Sequence, residues 1–165
     1  MNLIQSIFNI NTKQFYLLKR LSEKEKLSFD IVQVRYDFWM ALLAEQVPQE
    51  LEDKYHKNVK HYSSYIRIHL DPIAIIHVVE KFMQGKIDSE YMVKWAHFVL
   101  EMDCYVPLNY FYICKHPEKA NKDKYKCLFD ILEAIAGSKS SGDLTINKSE
   151  SYINFIDDFL KKTPM

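Results

Sequence analysis

The sequence predicts an all-α fold: one domain over residues 1–165, a compact bundle of about six or seven antiparallel helices with no sheet. Three observations point there. Apolar residues recur every three or four positions along most of the chain, the period of a helix with one buried face. Glycine occurs only three times while Leu, Ile, Lys, Glu and Tyr are common, a composition poor in the turn residues that many-stranded folds need. Capping residues and prolines fall between the apolar patterns, where helices stop and start.

The first pattern follows Thr12, a cap candidate, with Phe15, Leu18 and Leu21 on one short amphipathic face. The charged Ser22–Lys26 run reads as a solvated end or loop. From Ser28 a wider apolar face carries Ile31, Val34, Phe38 and Leu42 with Val32, Trp39 and Leu43 beside them, as a central helix would, ending before Pro48. A third helix is expected from Gln49 or Glu50 to about His69, with Tyr55, Val59, Tyr62, Ile66 and His69 on its stripe. Asp71 and Pro72 then cap and begin a fourth, with Ile75, Ile76, Val79, Phe82 and Met83 inward.

The stretch QGKIDSE closes that helix and opens the next. Gly85 supplies the left-handed residue of a helix stop. Asp88 suits the following N-cap, Glu90 the first turn, and Ile87 with Met92 the spacing of a hydrophobic staple. Met92, Trp95, Ala96, Val99 and Met102 form the buried face of this fifth helix, antiparallel to the fourth because the connection is short. Residues 105–123 fit either a short helix or an extended segment. A helix over Lys124–Ala136 buries Leu128, Ile131, Leu132 and Ile135 and ends at Gly137. The polar SKSSGDLT connector leads to a last helix from about Ser149 to Leu160, with Tyr152, Ile153, Ile156, Phe159 and Leu160 inward.

Charge narrows the function classes. With 22 basic and 22 acidic residues the chain carries no net field to attract nucleic acid or an anionic bilayer, so neither is an expected partner. No apolar run reaches the ~18 residues of a membrane span. The leading MNLIQSIFNINTK lacks a basic leader and a small-residue cleavage site and reads poorly as a signal peptide. Three cysteines (Cys104, Cys114, Cys127) without CxxC spacing suit reduced thiols in a cytoplasmic protein.

No motif for catalysis or cofactor binding is present. There is no HExxH, GxSxG or glycine-rich phosphate loop, and no histidine pair stands three or four apart on a predicted helix. Arg67 lies two residues before His69 and ten before His77, which is not the arginine–histidine spacing of HEPN-type helical ribonucleases. The expectation is therefore a non-enzyme without metal or cofactor. The interleaved aromatics and lysines of YHKNVKHYSSYIR resolve into a core stripe and a solvated side, and half-exposed tyrosines suit a protein interface.

One segment carries a resemblance. VVEKFMQGKIDSEYMVKWAHFVLEMDCY, with its Gly85-Lys86-Ile87 turn, Asp88-Ser89 cap and Trp95-Ala96 pair, resembles small all-helical bacterial immunity proteins of the colicin-like and contact-dependent growth inhibition kind. LFDILEAIAGSKSSGDLT resembles the family's next element. The resemblance covers about residues 75–145. It implies a non-catalytic protein that binds a cognate toxin domain, often a basic nuclease, and blocks its active site or substrate surface. Such inhibitors present acidic and aromatic residues; here Glu45, Glu50, Glu52 and Asp53 form one acidic cluster and Glu101 with Asp103 another. Those six are the candidate partner-binding residues, although acids at helix ends also serve the helix dipole. A helical adaptor or regulatory domain without a toxin partner is the alternative, and a helical nuclease comes third.

Overall fold

The computed structural model describes residues 31–56, 58–122, 125–138 and 144–162. The helix expected after Thr12, the Ser22–Lys26 run and most of the SKSSGDLT connector lie outside them. The described elements run α1 (Ile31–Leu42), α2 (Pro48–Lys54), α3 (Val59–Ser63), β1 (Ile68–His69), α4 (Pro72–Met83), α5 (Ser89–Glu101), β2 (Tyr105–Val106), α6 (Tyr110–Lys115), a 3-10 helix (Pro117–Lys122), α7 (Lys126–Ala136) and α8 (Ile146–Lys162). The fold is all-α, with eight described α-helices and one minor parallel strand pair. Their buried apolar side chains form one cluster.

The predicted apolar stripes of α1, α5 and α7 are buried, whereas Ile76, Phe82 and Met83 of α4 and Tyr152, Ile153, Phe159 and Leu160 of α8 are only partly so. Ile31, Val34, Phe38 and Leu42 of α1, Met92, Trp95, Ala96 and Val99 of α5, and Leu128, Ile131, Leu132 and Ile135 of α7 all lie inside. Asp71 accepts from the Ile73 amide (2.9 Å) and Asp88 from the Tyr91 amide (2.8 Å), so both expected N-caps act. Gly85 takes φ 72°, and the Gly85 and Lys86 amides return to the carbonyls of Phe82 and Lys81. α5 packs most extensively on α7, and α4 on α8.

α1 ends at Leu42, before Pro48 as expected. Ala44 adopts φ 54°, and the amides of Ala44 and Glu45 bond back to Ala41 and Met40 (3.1 and 2.9 Å). This is the same stop that Gly85 makes, with alanine where glycine is usual; the left-handed conformation costs an alanine about 1–2 kcal/mol.

The single helix expected from Gln49 to His69 is two short helices. His56 takes φ 50° between them, and after Ser63 the hydroxyls of Ser63 and Ser64 bond back to the carbonyls of Lys60 and His61. Such local bonds compete with helix continuation. The stripe survives the breaks, since Tyr55, Val59 and Ile66 are all buried.

The expectation of no sheet fails over two residues. Ile68 pairs with Tyr105 and His69 with Val106, and the amides of Ile68 and Leu70 donate to Cys104 and Val106 (2.7 and 2.8 Å). β-branched and aromatic residues favour this extended pairing. Residues 105–123 thus contain both a strand and a helix. At the other end α8 starts at Ile146, earlier than expected, because Thr145 accepts from the Lys148 amide (3.1 Å).

Polar groups pin α1 inside the core. Asp37 is 1% exposed, yet its carboxylate accepts from Gln33 (2.9 Å), Lys54 (2.7 Å) and the Tyr55 hydroxyl. A buried carboxylate is tolerable when its lone pairs are so satisfied. Arg35, also buried, donates to the Arg67 carbonyl (2.5 Å), and burial pushes its guanidinium down to about 10. Tyr105 donates to the Phe38 carbonyl (2.6 Å) and Trp95 to the Leu42 carbonyl (3.1 Å).

Two measurements test this core. Trp95, fully buried, is expected to cost about 3–5 kcal/mol on change to Ala in urea denaturation. A near-neutral result would place Trp95 outside the core. Burial, with the Asp37 carboxylate second, holds the Tyr55 hydroxyl protonated above the ordinary 10.0, and burial does the same for Tyr105. The unfolded chain therefore releases those protons first, and stability falls as pH rises beyond about 10. Tyr105→Phe should flatten that alkaline limb by up to about 1.4 kcal/mol per pH unit. An unchanged slope would refute the assignment.

Candidate functional site

The turn after α1 leads directly into one wall of a surface groove. Val47 is extended (φ −72°, ψ 133°) and Pro48 starts α2, its fixed φ suited to the first helical position. The opposite wall is α5, set by the Asp88 cap and by Trp95 beneath it. Tyr91 of α5 reaches the Gln46 carbonyl (3.4 Å), tying the walls together at one end. Phe98 stacks on Phe38 of α1 (centroids 6.0 Å apart, planes 19°) and floors the groove.

The groove has a volume of about 340 Å³. Val47, Pro48, Gln49 and Glu52 line one side; Tyr91, Lys94, His97, Phe98 and Glu101 line the other. That size is at the small end of the ~300–1,000 Å³ typical of small-molecule sites, room for a side chain rather than a large cofactor. Val47, 38% exposed, leaves apolar surface open at the rim.

The rim is acidic. Glu52 and Glu101 are exposed, on opposite walls. Lys94 forms an exposed pair with Glu90 of the same helix (2.8 Å). Burial raises the Tyr91 hydroxyl above its ordinary value, and the carboxylates of Glu50 and then Glu45 raise it further. Negative charge therefore also presses on the Tyr91 end.

The six predicted acids divide between different duties. Glu52 and Glu101, from separate clusters in sequence, line opposite walls of the groove, and Glu50 stands near its Tyr91 end. Glu45 is bound to Lys81 (2.8 Å) and lies 3.4 Å from His77. Lys81 also donates to the Ala44 carbonyl (2.9 Å), so Glu45 belongs to the left-handed turn. Asp53 accepts from Gln49 (3.0 Å). Asp103, exposed in the turn after α5, does not line the groove.

Sequence reasoning overlooked Tyr91, Lys94, His97 and Phe98. The signal was there: Tyr91, Lys94, Phe98 and Glu101 are spaced by three, four and three, a second stripe on α5 beside the buried one. Asp37, the buried hub of α1, was overlooked as well. Among the described residues no three His, Cys, Asp or Glu side chains gather as a metal site would require. Also among them, no helix is long and apolar enough to cross a membrane.

Comparison with known proteins gives no matching family model, no matching curated protein and no matching solved structure.

The division among the acids is testable. The hydrogen bond from Lys81 is the main cause that lowers the Glu45 carboxyl below its ordinary 4.5; burial opposes it, and His77 assists. Its contribution to stability is present above that value and is lost as pH falls through the lower folded one. Glu45→Gln should cost up to about 1 kcal/mol at pH 7, since the pair is partly exposed and screened, and less at pH 3. Glu52→Gln and Glu101→Gln should be neutral within about 0.5 kcal/mol at both pH values. A larger cost for Glu52 or Glu101 than for Glu45 would reverse the roles.

Proposed function

We propose that this chain is a non-catalytic immunity protein that binds a cognate bacterial toxin domain, of the nuclease kind, and covers its active site or substrate surface. The observation that carries this reading is the groove between α2 and α5. It joins carboxylates from two acidic clusters distant in sequence over an apolar floor, the pattern that a basic protein surface complements. Interfaces of this type use aromatic side chains for contact area and rim charge for encounter rate. The segment that resembles immunity proteins, Val78–Tyr105, contains the α5 wall. The working compartment in this reading is the cytoplasm, where such a toxin would act.

A second reading has its own observation. α6 buries none of its residues and exposes Phe111 and Tyr112 at 61% and 46%. Two separate contact surfaces would suit an adaptor that joins partners rather than an inhibitor that blocks one.

Growth protection on co-expression with a candidate toxin, together with stopped-flow association, tests the proposal. Glu52→Lys with Glu101→Lys should abolish protection and slow association by about tenfold or more at low salt. Asp103→Lys should do neither. Stability should change by no more than about 1 kcal/mol, as for exposed charges generally. If the double variant protects like the parent, the groove is not the inhibitory surface.

A further inference from the structure

We infer that the groove between α2 and α5 is an arginine receptor: it takes the side chain of one arginine from a protein partner. The inference rests on the protein-binding reading above and adds the chemistry of the anchoring residue. Three features of the site select that occupant.

The first is charge at the right places. Glu52 stands on one wall and Glu101 on the other, both exposed, so each wall offers a carboxylate to an entering cation. Glu101 is also the last residue of α5, the end where helix carbonyls favour positive charge. The lysine in the lining, Lys94, forms its ion pair with Glu90 on the exposed side of the same helix (2.8 Å) and not with Glu52 or Glu101. A guanidinium has five donors in a planar fork and can serve two carboxylates at once; an ammonium is a point charge without that geometry.

The second feature is the floor. Tyr91, half-buried, gives aromatic surface on which a planar cation stacks, with Phe98 buried beneath, and Tyr91 lies near the charges of Glu45 and Glu50. The third is the rim. Val47 and Pro48 are apolar, and Val47 is left exposed by the fold. The three-carbon stem of an arginine covers such surface while its head stays polar. A carboxylate ligand would be repelled, and a purely apolar one would leave two acids facing it. At about 340 Å³ the groove admits one long side chain and little more.

The test uses the full chain, isotopically labelled, and small probes in place of the partner. N-acetyl-arginine methylamide, the same derivative of citrulline (isosteric and neutral) and that of lysine are titrated against amide NMR spectra. The arginine probe should give saturable shifts centred on Tyr91, Lys94, His97 and Phe98 in the millimolar range. The citrulline probe should give none, and the lysine probe weaker ones. Glu52→Gln with Glu101→Gln should weaken arginine binding about tenfold or more, two charge-assisted hydrogen bonds being lost. A spectrum otherwise unchanged shows that this variant folds.

No saturable shift, equal shifts from citrulline, or shifts centred elsewhere would each overturn the inference. Failure here is separable from failure of the proposed function. A toxin neutralised through this face while the groove ignores arginine would sink the receptor and keep the inhibitor. Specific arginine binding in a chain that neutralises no toxin would do the opposite.

Discussion

The last four carbonyls of a helix have no partner inside it, and the end of α1 shows how much architecture can follow from supplying them. The turn through Ala44 satisfies three: Leu43, Ala44 and Glu45 donate to Trp39, Ala41 and Met40. The fourth, on Leu42, is fully buried and takes its hydrogen bond from the Trp95 indole. A buried carbonyl left without a donor costs about 1–3 kcal/mol, so α5 is fixed against α1 by a polar as well as an apolar constraint. Nearby, Tyr105 donates to Phe38, Lys81 to Ala44 and Tyr91 to Gln46. The backbone of one helix end thus receives side chains from α4, α5 and β2. The bundle is assembled around that end.

The groove is a by-product of the same constraint. α2 begins four residues after Ala44, so the direction of that turn decides where Pro48 and Glu52 stand. Trp95 sets the depth and rotation of α5, and with them where Tyr91 and Glu101 stand at the surface. Asp37 adds the remaining hold by engaging Lys54 and Tyr55 at the far end of α2. Both walls therefore belong to well-anchored elements, which suits a contact surface that must keep its shape before a partner arrives.

What could be read from the sequence was what nearest neighbours decide. Asp71, Gly85 and Asp88 work within one helical turn, and their residue types leave few other uses. The buried stripes of α1, α5 and α7 follow from helical period alone. Three features were hidden because non-local partners decide them. Ala44 has no sequence mark of a left-handed stop; Lys81, 37 residues away, secures it. The helix expected through Tyr55 breaks partly because Tyr55 is drawn to Asp37, an acid on a face that periodicity marks as apolar. Glu52 and Glu101 fall in different clusters, and only the packing of α2 beside α5 brings them across one opening.

The two-residue strand pair has a bearing on how this chain would fold. Almost every other described element is a helix, whose own hydrogen bonds are local and can form quickly. Ile68 and Tyr105 are separated by both α4 and α5, so their pairing must wait until that whole length of chain has doubled back. Loop closure over such a span is entropically costly and is repaid only when Tyr105 also meets Phe38. The helices can therefore form before this two-residue seam closes between them. The amides of Ile68 and Leu70 are then the places where hydrogen exchange would report opening of the entire domain rather than fraying of any one helix.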